Sequence, residues 1–346
     1  MGGSRGVWRG GGLRLPLGSA LVSPLLLSFT WVCWVCPALA QTAGGADKYP
    51  SRSIRLVVPF GPGGSADLVA RILGQRIAES WGQPVVVDNR PGAGAMLGNE
   101  LVAKSAPDGY TLTMGTLGPF AVNQSLFQKV PYDSQRDFAP ITLTGASLHV
   151  LVVHPSLPVK TTAELIALAK KRPGQLTFAS SGIGNATHLT GELFKSMAGI
   201  DVVHVPYKGG GAAVADLLGG HVGFSFASMP SALPHVRSGK LRALAVAPAQ
   251  RVSSAPELPT VAEAALPGFA SEDWQGVLAP AKTPIEIINR LNTEIHRVLS
   301  LADLREKLDA LGFQVRLSTP QQFADLIRTE SVKWARIVKE ANIRIE

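Results

Sequence analysis

From residue 54 onward, short apolar runs alternate with stretches whose apolar residues recur every three or four positions. No other feature constrains the fold as much. Ile54-Arg55-Leu56-Val57-Val58-Pro59 reads as a buried strand. Leu68, Val69, Ile72, Leu73 and Ile77 then mark one face of a helix, and Val85-Val86-Val87 the next strand. Residues 96–104 predict a second helix and 110–114 a third strand. This β-α-β-α-β order is that of a mainly parallel sheet covered by helices. The order recurs, with helices over 162–171, 186–197 and 212–218 alternating with strands over 176–179, 202–205 and 222–226. A short helix at 234–238 precedes a strand at 243–246. The chain thus carries two similar α/β blocks and no repeat of 20–50 residues.

Two segments read as crossings between the blocks. Residues 138–153 form one long β-rich run containing Gly145. Residues 248–268 hold Pro248, Pro256, Pro259 and Pro267, too many for a regular element. Beyond them, Trp274 to Leu278 predicts a strand. Helices follow around Ile288, Leu291, Ile295 and Val298 and around Phe323, Leu326, Ile327 and Trp334. This tail is too short for a third domain and is expected to return to the first. The division expected is residues 41–145 for the first lobe, 146–265 for the second and 266–346 for the rest of the first. Two crossings make a hinge, and a hinged cleft is a common way to enclose a solute.

The start of the chain reads as a targeting segment. Arg5, Arg9 and Arg14 precede an apolar run from Leu15 to Cys36, which ends in Ala38-Leu39-Ala40. That order predicts a cleavable export signal over residues 1–40, cut before Gln41; an uncleaved membrane anchor is the alternative. Cleavage leaves 306 of 346 residues and lowers the net charge from +8 to +5, since the segment carries three arginines and no acid. Lys and Arg are scattered among acids, which argues against nucleic acid as a partner. Both cysteines, Cys33 and Cys36, lie in the segment. Disulfides, thiol nucleophiles and cysteine–zinc sites are therefore excluded from the remainder.

Two loops carry the chemistry. Pro59-Phe60-Gly61-Pro62-Gly63-Gly64-Ser65-Ala66-Asp67 follows a strand and opens a helix. Free N–H groups and a partial positive charge at a helix start suit an anion, although a plain turn and helix cap fits the same residues. The Gly-Lys-Ser/Thr ending of a P-loop and the dinucleotide-binding spacing are both missing. Asp67 is expected to hold the loop through backbone N–H groups; accepting a ligand ammonium is the alternative. Gly92-Ala93-Gly94-Ala95-Met96-Leu97-Gly98 reads as a tight turn. Ser180-Ser181-Gly182-Ile183-Gly184-Asn185-Ala186-Thr187-His188 repeats the strand-loop-helix order in the second block, either as a second carboxylate site or as a capped helix. No nucleophile elbow, no H-E-x-x-H and no histidine pair at metal-ligand spacing occurs. An enzyme, a bound metal and a cofactor are therefore not expected.

These residues resemble the Bug-type extracytoplasmic solute receptors of the tripartite tricarboxylate transporter family. The resemblance spans nearly all the chain after the export signal. It rests on Tyr49-Pro50, Ile54 to Phe60, Pro62-Gly63-Gly64 with Asp67, Asn89-Arg90-Pro91-Gly92-Ala93-Gly94 and Pro107-Asp108-Gly109-Tyr110-Thr111. It continues through Val130-Pro131-Tyr132-Asp133, His188-Leu189, Val205-Pro206-Tyr207-Lys208-Gly209, Asp216-Leu217-Leu218-Gly219-Gly220, Pro259-Thr260-Val261-Ala262-Glu263 and Trp274. It implies a two-lobed periplasmic binding protein, or Venus flytrap, with two crossover hinges. The implied ligand is a small carboxylate: a di- or tricarboxylate, an acidic amino acid or an aromatic acid. The implied partners are integral-membrane permease subunits, with the receptor periplasmic and monomeric. The family pattern carries a ligand role onto Phe60, Gly63, Gly64, Ser65 and Asp67. From the opposite lobe come Ser180, Ser181, Gly184, Asn185, His188 and Tyr207. Thr116, Ala227, Ser228 and Asp273 complete the candidates. Ile183 departs from the pattern, standing where the family often has a polar residue. A sensor subunit for a membrane signalling system, and less readily a cleft hydrolase, remain alternatives.

Overall fold

The structure, a computed structural model, is described here for residues 49–340. The expected export segment lies outside them. In the first stretch, β1 (Ile54–Val58), α1 (Ser65–Trp81), β2 (Val85–Asn89), α2 (Met96–Ala103), β3 (Thr111–Thr116), α3 (Asn123–Leu126) and β4 (Phe138–Ser147) follow in order. A π-helical turn, Gly118–Val122, leads into α3. The middle stretch holds β5 (His149–Val153), α4 (Thr162–Lys171), β6 (Thr177–Ser180), α5 (Ala186–Ala198), β7 (Val203–Pro206), α6 (Gly210–Leu218), β8 (Phe224–Ser228), α7 (Met229–Arg237), β9 (Arg242–Val246) and α8 (Val261–Ala264). The last contains β10 (Asp273–Pro280), α9 (Ile285–Leu299), α10 (Ala302–Ala310), β11 (Phe313–Val315) and α11 (Pro320–Glu340).

Two sheets result, and each with its helices is called a lobe below. The first runs β11-β4-β10-β3-β1-β2 and the second β7-β6-β8-β5-β9. Both faces of each sheet are covered, which explains the continuous apolar runs in the strands. Side chains alternate across a strand. Accordingly Leu56 and Val58 enter one core of the first lobe and Val57 the other. Leu151 and Val153 likewise part from Val150 and Val152 in the second lobe.

The sheets are mixed, which corrects the expectation of mainly parallel ones. β1 pairs parallel with β2 and β3, and β6 with β7 and β8. β10 instead runs antiparallel to β3 and β4, β11 antiparallel to β4, and β5 antiparallel to β8 and β9. The reason is the crossing itself. A chain that leaves one sheet for the other and later returns enters its neighbour head to tail. β4 and β5 are separated only by Leu148, so the β-rich run is two strands in two sheets.

Other departures are local. The helix expected at 234–238 begins at Met229, because Pro230 lies in its first turn, where no N–H is needed. In the proline-rich crossing, Thr260 and Glu263 form a capping box that starts α8. Elements α3, α10 and β11 had no periodic signal long enough to predict them.

Candidate functional site

The Gly-rich loop after β1 is held by a charged network. Asp67, buried in the first turn of α1, accepts the Gly63 N–H at 3.0 Å and Arg71 Nε at 3.0 Å. Asn89 Nδ2 donates to Asp67 Oδ1 and to the Phe60 carbonyl, both at 3.0 Å. Burial pushes Asp67 up, but Arg71, the Gly63 N–H and Asn89 outweigh it and hold the carboxyl below its ordinary value. Its donors come from the loop, from α1 and from the end of β2. Gly63 has φ +84°, a left-handed conformation that favours glycine. Gly64, the α1 N-cap, has φ −86°, which any residue adopts.

The loop after β6 is held by neutral groups. Gly182 N–H donates to Ser180 Oγ at 3.1 Å, and Ser180 Oγ lies 2.6 Å from His204 Nε2. Ser181 N–H donates to Thr187 Oγ1 at 2.8 Å, Asn185 Nδ2 to the Ser181 carbonyl at 3.1 Å and Gly184 N–H to His188 Nδ1 at 3.2 Å. The rings of His188 and His204 stack with centroids 4.1 Å apart. Burial lowers His188 to about 4 and His204 to about 3, so both are neutral at pH 7.

The lobes meet through main chain. Gly61 N–H donates to the Lys208 carbonyl at 2.7 Å. A Cβ on Gly211 would lie 2.5 Å from the Pro62 carbonyl oxygen, and one on Gly118 would lie 2.3 Å from the Gly184 carbonyl oxygen. Backbone at these distances leaves no room for a side chain.

Between the lobes lies a cavity of about 50 Å³, several times the ~10–15 Å³ that one water needs on such a measure. Four helices begin at its wall. Ser65 and Ala66 open α1, Thr187 lies in the first turn of α5, Gly210 opens α6, and Ser228 is the N-cap of α7. None has a side-chain cap, so their first N–H groups and partial positive charge remain for an anion. Among the described residues, no Lys or Arg lines the cavity.

Of the candidates, Phe60, Gly64, Ser65, Asp67, Thr116, Ser181, Ala227, Ser228 and Asp273 line the cavity. Gly63, Ser180, Gly184, Asn185, His188 and Tyr207 do not. Asn185 and Tyr207 instead line an outer groove with Gly92 to Ala95, Ile183 and Lys208. Tyr207 donates its hydroxyl hydrogen to Asp216. The sequence reading missed His149, Gln275, Ser225, Ala213 and Gly210. Gln275 was within reach of it, since residues two apart on a strand share a face and Asp273 was a candidate. His149 was not, because its place depends on which sheet β5 joins.

The lining also carries buried polar groups. Asp273 is buried and accepts the Leu117 N–H at 3.1 Å. Burial raises its carboxyl to about 7, against the Leu117 N–H and Gln275, with Glu272 adding to the rise. Burial lowers His149 to about 4. Among the described residues, no group of three or more His, Cys, Asp or Glu is placed to hold a metal ion.

Residues 69–343 match the family described as tripartite tricarboxylate transporter family receptor, TctC. The protein BugT of Bordetella pertussis is 42% identical over 302 residues, covering 87% of this chain and 93% of BugT. Among solved structures, an R. palustris protein with adipate is similar at a TM-score of 0.83 and 37% identity, covering 86% of this chain and 99% of that one. MatC of Rhodopseudomonas palustris with bound malate is similar at 0.80 and 34%, covering 84% and 100%.

Proposed function

This chain belongs to the tripartite tricarboxylate transporter receptor family, and from that premise we propose that it captures a small carboxylate between its lobes outside the cytoplasmic membrane and presents it to integral-membrane permease subunits. The observation that carries this reading is the cavity on which four uncapped helix starts converge. Such a site binds an anion with neutral donors already fixed in place, so little ordering is needed on binding. No helix of the described residues is long and apolar enough to cross a membrane, which suits a receptor that works beside its permease. Two dicarboxylate-bound relatives, with adipate and malate, support the ligand class. The same relationship favours binding without turnover.

The test is thermal unfolding across a panel of mono-, di- and tricarboxylates. A ligand at 100 times its Kd adds about 2.7 kcal/mol by mass action and raises Tm accordingly. X-ray scattering with the same ligand should show compaction. A panel without a single stabilising carboxylate sinks the reading.

A further inference from the structure

Behind the crossings between the lobes lies a second and larger hollow. Asp273 pairs with Ser147 in the first sheet, and His149 pairs with Ser228 in the second. Ala247 N–H donates to the His149 carbonyl at 2.8 Å, and Ser271 N–H donates to the Ala247 carbonyl at 3.0 Å, which ties Ser271 to the second lobe. Leu148 and Glu272 are therefore the residues on which the lobes turn. Glu272 lines a groove of about 460 Å³, within the ~300–1,000 Å³ typical of small-molecule sites.

The groove and the carboxylate cavity lie back to back across β10. Side chains alternate along a strand, so Asp273 and Gln275 line the cavity while Trp274 between them lines the groove. Leu117, a groove residue, donates its N–H to Asp273 at 3.1 Å. Ser271, another, has its Oγ 2.6 Å from Thr190 Oγ1, which in turn lies 3.3 Å from Nδ1 of His149 in the cavity wall.

Trp274, Trp334, Pro248, Leu143 and Leu326 give the groove flat and aliphatic walls. The four charged residues that line it are already engaged. Arg316 donates to Glu272 at 2.7 and 3.0 Å, and Lys333 Nζ and Trp334 Nε1 each donate to Glu330 at 3.1 Å. A charged occupant would compete with these pairs, whereas a neutral ring leaves them intact and removes apolar surface from water. We propose that this groove is a second binding site, for a neutral aromatic molecule, and that its occupation holds the lobes together. Arg316 and Trp334 belong to the first lobe, while Pro248 follows β9 of the second, so a turn at Glu272 changes the shape of the groove. An occupant that fits the shape formed while the lobes touch favours that arrangement. The site is separate from the carboxylate cavity, so its failure leaves the carboxylate-receptor reading intact.

The test uses N-phenyl-1-naphthylamine, a neutral aromatic that brightens when it leaves water, titrated into the receptor purified without its export segment. Of Trp81, Trp274 and Trp334, the tryptophans left after residue 40, the last two line the groove. Saturable energy transfer from tryptophan is therefore expected, with one probe per receptor. Ala249→Phe and Lys333→Phe, at exposed positions of the lining, should each weaken the probe by about ten-fold or more. The anionic analogue 8-anilinonaphthalene-1-sulfonate should bind more weakly than the neutral probe by a similar factor. X-ray scattering should show compaction with the neutral probe alone. The wild-type titration and scattering decide the matter if neither variant folds. An absence of saturable transfer, undiminished binding in the folded variants, or tighter binding of the anion overturns the site. Binding without compaction overturns its link to closure.

Discussion

The loop after β1 and the loop after β6 look alike in sequence, each a strand, a run of small residues and a helix start. They are held in different ways. The first depends on one ionised carboxylate, Asp67, shared by Gly63, Arg71 and Asn89. The second has no ion in its frame and depends on two stacked, neutral histidines and on Ser180, Ser181, Thr187 and Asn185. Similar geometry is thus reached with opposite electrostatics, and the difference teaches where each loop fails. A carboxylate held below its ordinary value is lost at low pH, while a histidine kept neutral is lost at mildly acidic pH.

The largest effect is expected where the two loops touch the opposite lobe. Gly118→Val should abolish closure and weaken ligand binding by 100-fold or more, because its Cβ would meet the Gly184 carbonyl oxygen at 2.3 Å. Circular dichroism should show each lobe folded, and scattering should show no compaction with ligand. Normal affinity would break the view that the lobes close backbone against backbone.

The next effect is acid lability of the second lobe. His149, at about 4 in the fold against 6.5 unfolded, is neutral in the native state. A histidine with a lowered folded pKa stabilises the fold above its unfolded pKa and loses that contribution as pH falls through the folded one. The window therefore runs from about pH 6.5 to about pH 4, and His149 alone contributes about 3 kcal/mol across it. His188 and His204 act in the same direction, with His204 extending the window to about pH 3. The contribution of Asp67, whose carboxyl lies below its ordinary 3.8, is present above that value and lost only as pH falls beneath it. Amide hydrogen exchange from pH 7 to 4 should show loss of protection in the second sheet before the first. Simultaneous loss in both would erase the contrast.

A smaller effect is expected from Asp67→Asn. The variant keeps an acceptor but loses the charge that Arg71 pairs with. Arg71 is half exposed, so solvent screens the pair, and the expected cost is about 1–2 kcal/mol, mainly from the Gly63 N–H. Urea unfolding measures it, and a cost below measurement would place the hold of the first loop elsewhere.

The smallest effect belongs to Lys208→Ala. Lys208 meets Gly61 through its carbonyl oxygen, which alanine retains, and its side chain is exposed. Titration calorimetry should find affinity within about three-fold of wild type. A loss of 100-fold would mean that the site is an ion pair and not a cradle of neutral donors.

Much of this molecule was determined by the sequence itself. Apolar runs separated by helical periods dictated two α/β blocks, because burial on both faces of a sheet requires them. The order strand, glycines, helix dictated where the starts of α1 and α5 would lie. Asp67 in a first helical turn pointed to a loop anchor, since two of its partners, Gly63 and Arg71, lie four residues away, although Asn89 comes from the next strand. The tertiary structure decided what depends on residues far apart. Antiparallel β10, the seating of His149 and Gln275 on the cavity wall, and the approach of Gly118 to Gly184 all join segments separated by dozens of residues. Asp273 shows the division most clearly. Its identity is written in the chain, but its raised pKa arises from burial beside Leu117, 156 residues away, which no local pattern encodes.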